Sequence, residues 1–277
     1  MARAPGKVNL SLFVGAPRED GLHPLVSVVQ PVTLADELTL EPGGEVDEVH
    51  CPGVDGPNLA GHALALFREA TGWDAPPQRL TIVKRVPVAA GMGGGSADAA
   101  AALRLAARAA GGAPPELLHE LAATLGADVP ALLAGGRVLM TGAGEHVYPL
   151  PDPDPFALVI VPSAVGLSTP DVYREFDRLG RTRTREELDA REAEAHAGEP
   201  PPAVNDLEPA ARALDPAVER PLADLRAAGA TTVMVSGSGP TVFGVFPTLA
   251  AARDAAEDVG GIAAAPADAR FNEIGTA

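Results

Sequence analysis

Lys7 and Asn9 stand two apart in Arg3-Ala4-Pro5-Gly6-Lys7-Val8-Asn9-Leu10, and on a strand residues two apart share a face. An ammonium and an amide side by side on a half-buried strand can hold a reacting hydroxyl and countercharge a transferring phosphoryl group. The competing reading is an edge strand with its polar face in solvent. The segment Pro87-Val88-Ala89-Ala90-Gly91-Met92-Gly93-Gly94-Gly95-Ser96-Ala97 lies between a strand-like and a helix-like stretch. Its glycines let backbone N–H groups turn inward on a ligand, and a helix N-terminus adds about half a positive charge. Together they read as a phosphate cradle rather than a bare turn. A P-loop needs a lysine after its last glycine, and a dinucleotide fingerprint needs Gly or Ala where Ser96 stands, so neither applies. Ser236-Gly237-Ser238-Gly239-Pro240-Thr241 is a second glycine turn, ordinary by itself but able to bring backbone close to a phosphate or to the first loop. In Leu125-Gly126-Ala127-Asp128-Val129-Pro130, Asp128 taken alone has the commoner role of a helix cap.

The flanking patterns predict the elements that carry these groups. Val8, Leu10, Leu12 and Val14 alternate, giving a strand over Lys7–Val14, with further strands over Val26–Leu34 and Glu37–Leu40. Asn58 is a good N-cap for an apolar helical stripe that Gly72 ends. Leu80–Val86 reads as a strand, Ser96 as the cap of an alanine-rich helix to Ala110, and Pro114 as the start of a helix ending near Gly126. A short helix should follow Asp128, then strands over Arg137–Met140 and Glu145–Leu150. Pro151-Asp152-Pro153-Asp154-Pro155 is the clearest linker and sets domains at 1–150 and 156–277. Beyond it come a strand Ala157–Val161, a helix Thr169–Leu179, and a charged, proline-flanked surface segment 180–202 with some helix in Arg185–Ala197. A helix Asp215–Ala228, strands Thr231–Val235 and Thr241–Phe246 and a helix Leu249–Val259 complete an α+β unit.

Composition narrows the class. With 277 residues, 21 Lys+Arg and 37 Asp+Glu, the net charge of −16 disfavours a nucleic-acid or anionic-membrane binder. The single cysteine excludes an intrachain disulfide and a cysteine-built metal cluster, so a metal site is not expected. No apolar run approaches the ~18–20 residues of a membrane span, and no secretory signal is visible, so a cytoplasmic location is expected. Of the 21 basic side chains only Lys7 and Lys84 are lysine, which hints that a compact ammonium is wanted at both.

Taken together, Pro5–Leu10, Pro87–Ala97, Leu125–Pro130 and Ser236–Thr241 resemble the motifs of the GHMP kinase superfamily, in family order over nearly the whole chain. The resemblance implies two α+β domains, the first ribosomal-protein-S5-like and the second ferredoxin-like, with the site in the cleft between them. Leu125–Pro130 points to the branch whose substrate is a cytidine-diphosphate-linked methylerythritol, phosphorylated by ATP on its 2-hydroxyl. By motif position Asp128 would accept the hydroxyl proton, while Lys7 would hold that aspartate ionised and offset phosphoryl charge. Asn9 would orient the substrate, and the loop from Pro87 to Ala97 would carry the triphosphate, with Mg²⁺ held mainly by the nucleotide. Asn58 and Lys84 match positions flanking the adenine. His23 would read the cytosine edge. Thr169 and Tyr173 match the segment that supplies one aromatic wall, and Ser236, Gly237, Ser238 and Gly239 form the third glycine motif. Asp20-Gly21-Leu22-His23 departs from the family's Asp-Gly-Tyr-His, so Leu22 replaces the other wall. No obligate protein partner is implied. The alternatives are another small-molecule kinase of the superfamily, or a non-catalytic nucleotide-binding protein in which Lys7 or Asp128 is displaced from the site.

Overall fold

The computed structural model describes residues 1–88, 90–163 and 165–272. The first layer is a six-stranded sheet built from β1 (Ala2–Val14), β2 (Leu25–Pro42), β3 (Glu48–His50), β4 (Gln78–Val83), β5 (Val138–Gly142) and β6 (His146–Pro149). The two strands expected over 26–40 are one continuous 18-residue strand, β2. Asp36 does not break it, because its carboxylate is satisfied by two backbone N–H groups and an ammonium. β1 begins five residues earlier than expected and follows one edge of β2 from Ala2↔Leu38 to Val14↔Leu25, with irregularities at Pro5/Lys7 and Asn9/Ser11. β5 and β4 share the opposite edge, against Leu25–Val29 and Glu37–Pro42 respectively.

Four helices cover one face of this layer: α1 (Leu59–Thr71), α2 (Gly94–Ala109), α3 (Pro115–Leu125) and α4 (Val129–Ala134). Asn58 caps α1 as its sequence predicts, accepting from the N–H of Ala60 at 2.9 Å, and Gly72 ends it in the left-handed region. The alanines of α2 from Ala97 to Ala107 are buried, against α1, the sheet and α4. Small side chains allow that close approach, and Leu103 and Leu105 fill what remains. Arg104 reaches from α2 to the carbonyls of Leu132 and Arg3 at 3.0 and 3.2 Å, tying the helix to α4 and β1.

The second layer is an antiparallel sheet in the order β10-β7-β9-β8, formed by β7 (Ala157–Val161), β8 (Thr232–Val235), β9 (Val242–Phe246) and β10 (Ile262–Ala264). In chain order that is 4-1-3-2, the ferredoxin-like arrangement. Its helices are α5 (Thr169–Leu179), α6 (Arg185–His196), α7 (Glu208–Leu214), α8 (Glu219–Ala227) and α9 (Leu249–Val259). Val8, Leu10 and Val28 of the first sheet meet Leu158, Ile160 and Phe243 of the second in one apolar cluster.

Several expectations need correction. The helix expected within Arg185–Ala197 is present as α6, opened by a reciprocal capping box of Thr184 and Glu187, but the segment 180–202 is not confined to the surface, since Leu188 is buried among Phe13 and other inter-layer residues. The helix expected over 215–228 is a 3₁₀ turn, Pro216–Val218, followed by α8. β3, α7 and β10 were not anticipated; two are three-residue strands and the third is a seven-residue helix, too short to show a period.

Candidate active site

The outer edge of β1 is the spine of the site. The N–H of Lys7 donates to the carbonyl of Met92 at 2.9 Å, joining the strand to the glycine loop. Further along, Leu12 exchanges backbone bonds with Val204 and Asp206. Lys7 and Asn9 share a face, as their spacing predicts, and both are buried. Lys7 Nζ donates to Asn9 Oδ1 at 2.8 Å and lies 3.5 Å from Asp128 Oδ2. Asn9 Nδ2 donates to Ser27 Oγ at 2.8 Å, and Ser27 in turn donates to the carbonyl of Ser11 at 2.7 Å. The Ser27 hydroxyl proton is thereby committed, so its oxygen can only accept, and the Asn9 amide is fixed with its carbonyl toward the ammonium.

Asp128 stands at the N-cap position of α4 but makes no side-chain cap bond. Its carboxylate is one-third exposed and turned toward Lys7 instead. The cap reading therefore fails on geometry. Ser96 is not a cap either: the N-cap of α2 is three residues earlier, Gly93, in a left-handed conformation at φ +67° and again without a side-chain cap. The first N–H groups of α2 are thus left to whatever fills the cleft, the arrangement that favours an anion.

Both glycine segments pack against the same lysine. A Cβ on Gly93 would lie 3.3 Å from Lys7 Cε, and one on Gly237 would lie 3.1 Å from Asn9 Oδ1 and 3.3 Å from Lys7 Nζ. The second glycine turn is held by Asn205, whose Nδ2 donates to the carbonyls of Val235 and Gly237 at 2.9 and 2.7 Å. Thr169 Oγ1 and Ser238 Oγ are 3.0 Å apart, linking the start of α5 to that turn.

Two adjoining cavities meet at Gly91, Gly93 and Ser96. The larger, about 690 Å³, is lined by Lys7, Asn9, His23, Asp128, Thr169, Tyr173, Gly237 and Ser238. The smaller, about 370 Å³, is lined by Asn58, Lys84 and the loop residues Pro87, Val88, Ala90, Met92, Gly94 and Gly95. Of the remaining expected residues, Ala97 is buried in the helix core, and Ser236 is buried behind its turn. Gly239 backs onto the first glycine loop. Ala89 lies outside the described residues. Leu22, 53% exposed, sits on the lip of the larger cavity. The rings of His23 and Tyr173 are 5.0 Å apart. Burial, and then the charge of Asp128, pushes the Tyr173 phenol up to about 12, so it stays protonated at neutral pH. The carbonyl of Gly15 faces His23 Nδ1 at 2.8 Å. A carbonyl only accepts, so Nδ1 carries the proton there.

Sequence reasoning overlooked Asp36, Asp98, Ser27 and Asn205. Asp98 carried a signal, as a carboxylate in the first turns of an alanine-rich helix; the other three are isolated polar residues whose partners are remote in sequence.

Residues 58–136 match the GHMP kinases N terminal domain and residues 184–262 the GHMP kinases C terminal domain. The chain belongs to the GHMP kinases. It is 42% identical over 275 residues to a 4-diphosphocytidyl-2-C-methyl-D-erythritol kinase of Streptomyces coelicolor, covering 94% of this chain and 90% of that one. A protein of the same name from Kineococcus radiotolerans is 44% identical over 284 residues, covering 93% and 85%. Among solved structures, a 4-(cytidine 5'-diphospho)-2C-methyl-D-erythritol kinase superposes with a TM-score of 0.79 at 36% identity, over 97% of this chain and 99% of that one. A homoserine kinase from Cytophaga hutchinsonii, at 18% identity and a TM-score of 0.69 over 96% of each chain, shares the fold. This GHMP kinase therefore has the two-domain fold that its motifs imply, and phosphoryl transfer from ATP follows from its membership. No helix among the described residues is long and apolar enough to cross a membrane.

Proposed function

We propose that this kinase phosphorylates the 2-hydroxyl of 4-diphosphocytidyl-2-C-methyl-D-erythritol, a step of non-mevalonate isoprenoid biosynthesis. The observation that carries the reading is the Asp128–Lys7–Asn9 constellation at the junction of a phosphate cradle with a second, larger cavity. The names of relatives above 40% identity agree with it over nearly the whole chain.

In this reading the triphosphate lies on the N-terminal turn of α2 and the loop before it, with Asn58 and Lys84 at the base end. The substrate alcohol lies against Asp128. As the hydroxyl oxygen bonds to the γ-phosphorus and the bond to the β–γ bridging oxygen breaks, the hydroxyl proton passes to an Asp128 carboxylate oxygen. ADP leaves with the bridging oxygen. Lys7, held by the Asn9 carbonyl, stays beside that carboxylate and countercharges the phosphoryl oxygens. Mg²⁺ would be held mainly by phosphate oxygens. Among the described residues no group of three or more His, Cys, Asp or Glu is placed to hold a cation, while Ser96 and Asp128 offer oxygens toward the cleft.

His23 suits the cytosine end. Its Nδ1 donates to the Gly15 carbonyl, which fixes the ring, and its Nε2 lies 3.4 Å from Asp177 Oδ1 on the wall of the larger cavity. The decisive assay is ATP consumption with the cytidine-linked alcohol beside homoserine and mevalonate. Turnover with the first alone is expected, and preference for either of the others would replace the substrate assignment.

The missing aromatic wall gives a second test. Leu22 is aliphatic and exposed, so cytosine stacking would rest on Tyr173. Leu22→Tyr should tighten the cytidine substrate by up to ~1–3 kcal/mol, the range for one base–aromatic stack, with ATP affinity unmoved. Tyr173→Ala should weaken the same titration. Unchanged affinity in Tyr173→Ala would remove the cytosine from this part of the cavity.

A further inference from the structure

Beside the glycine loop, Lys84 is gripped by two carboxylates that the phosphoryl transfer does not use. Its Nζ donates to Asp36 Oδ2 at 2.5 Å and to Asp98 Oδ2 at 2.7 Å. Asp36 is fully buried, and its other oxygen accepts the backbone N–H groups of Arg85 and Val86 at 2.5 and 2.8 Å. It thus fixes both the ammonium and the chain that follows it. Asp98 is 3% exposed, on α2 within two residues of Ser96, and its Oδ1 is buried with no hydrogen-bond partner among the described residues. A Cβ on Gly94 would lie 3.4 Å from Lys84 Nζ, so the ammonium sits against the start of α2. Lys84 and Asp98 both line the smaller cavity. An ammonium has three N–H donors; the two aspartates take two, and the third is left for a ligand atom in that cavity.

We propose that Asp98 and Asp36 are the positioning pair for Lys84, aiming its remaining N–H at the base end of the bound nucleotide and locking that direction to the helix that carries the phosphates. The proposal rests on the smaller cavity being the nucleotide site. Two carboxylates for one ammonium is more negative charge than a buried cluster needs. Burial, opposed by Lys84 and reinforced by Asp36, pushes Asp98 up to about 7, while burial also raises the Cys51 thiol that faces the group from beyond β3. Asp98 therefore gains its charge at a higher pH than an ordinary aspartate. The grip on Lys84 strengthens as pH rises through that value.

Asp98→Asn keeps the shape and an acceptor but removes the charge. We expect the KM for ATP to rise about tenfold with kcat within about twofold, the loss of one charge-assisted contact acting through Lys84. In the parent the KM for ATP should fall between about pH 6 and 8. In Asp98→Asn that part of the profile should be flat, the ionisation of ATP itself being common to both. Inorganic tripolyphosphate, which has no base, should bind both proteins alike. Lys84→Met should raise the KM for ATP similarly, and adding Asp98→Asn to it should have no further effect. Additive losses, an unchanged KM and pH profile, or parallel loss of tripolyphosphate binding would each overturn the proposal. Gly95→Val separates this from the nucleotide assignment, since a Cβ there meets nothing within 4 Å and the side chain would simply occupy the cleft. ATP affinity retained in folded Gly95→Val removes the nucleotide from this cavity. Its loss, together with a silent Asp98→Asn, overturns the positioning pair alone.

Discussion

Asp128→Asn should lower kcat by at least ~10²-fold and leave ATP affinity nearly intact, the range for a lost general base. The asparagine keeps the size of the side chain and loses only the site that receives the proton. Helix α4 should tolerate it, because the Asp128 side chain makes no cap bond. Tyr173 cannot take over: its phenol is already protonated, and burial holds it so. Lys7, committed to Asn9 and to Asp128, is a donor and not a base. Steady-state turnover with the cytidine-linked alcohol, beside calorimetric titration of ATP, measures both halves of the expectation. A variant with near-normal kcat would show that the hydroxyl proton leaves by another route.

The second large effect is expected at Gly91. Its φ is +73°, and a Cβ there would stand 2.5 Å from the carbonyl oxygen of Gly239 and 3.2 Å from that of Ser236. Both neighbours are backbone, and both belong to the turn that Asn205 and Thr169 hold in place. Gly91→Ala must therefore push the two glycine segments apart, in addition to ~1–3 kcal/mol of left-handed strain. Since that separation opens the cradle at the point where both cavities meet, ATP affinity and turnover should fall together by at least ~10²-fold. Circular dichroism and thermal unfolding would establish that the variant is folded. Wild-type kinetics in a folded Gly91→Ala would mean that the two segments need not touch for the enzyme to work.

Both effects depend on residues that differ in how far the sequence alone reveals them. Lys7 and Asn9 are legible because two polar groups on one face of an apolar strand conflict with binary patterning. The cradle is legible because four glycines in five residues before an alanine-rich run have few other uses. Helix α1 declares itself through its caps, Asn58 and Gly72. The seven-residue α7 and the three-residue strands β3 and β10 do not, since each is shorter than the pattern needed to recognise it and is fixed by its neighbours.

The residue types already name the chemistry: an ammonium, an amide, a carboxylate, two glycine turns and a helix N-terminus, in an order that resembles one superfamily. Which of these groups meet is set by long-range packing. Asp128 is 121 residues from Lys7, and Asp36 is 48 from Lys84; no local period encodes either pair. Whether Asp128 capped a helix or faced a lysine turned on a side-chain direction that either role permits from the same sequence. Asp36 was invisible for a related reason. A lone buried carboxylate reads as an anomaly until the fold supplies the cation, and that cation arrives only because β2, the residues after β4 and the start of α2 converge on one point.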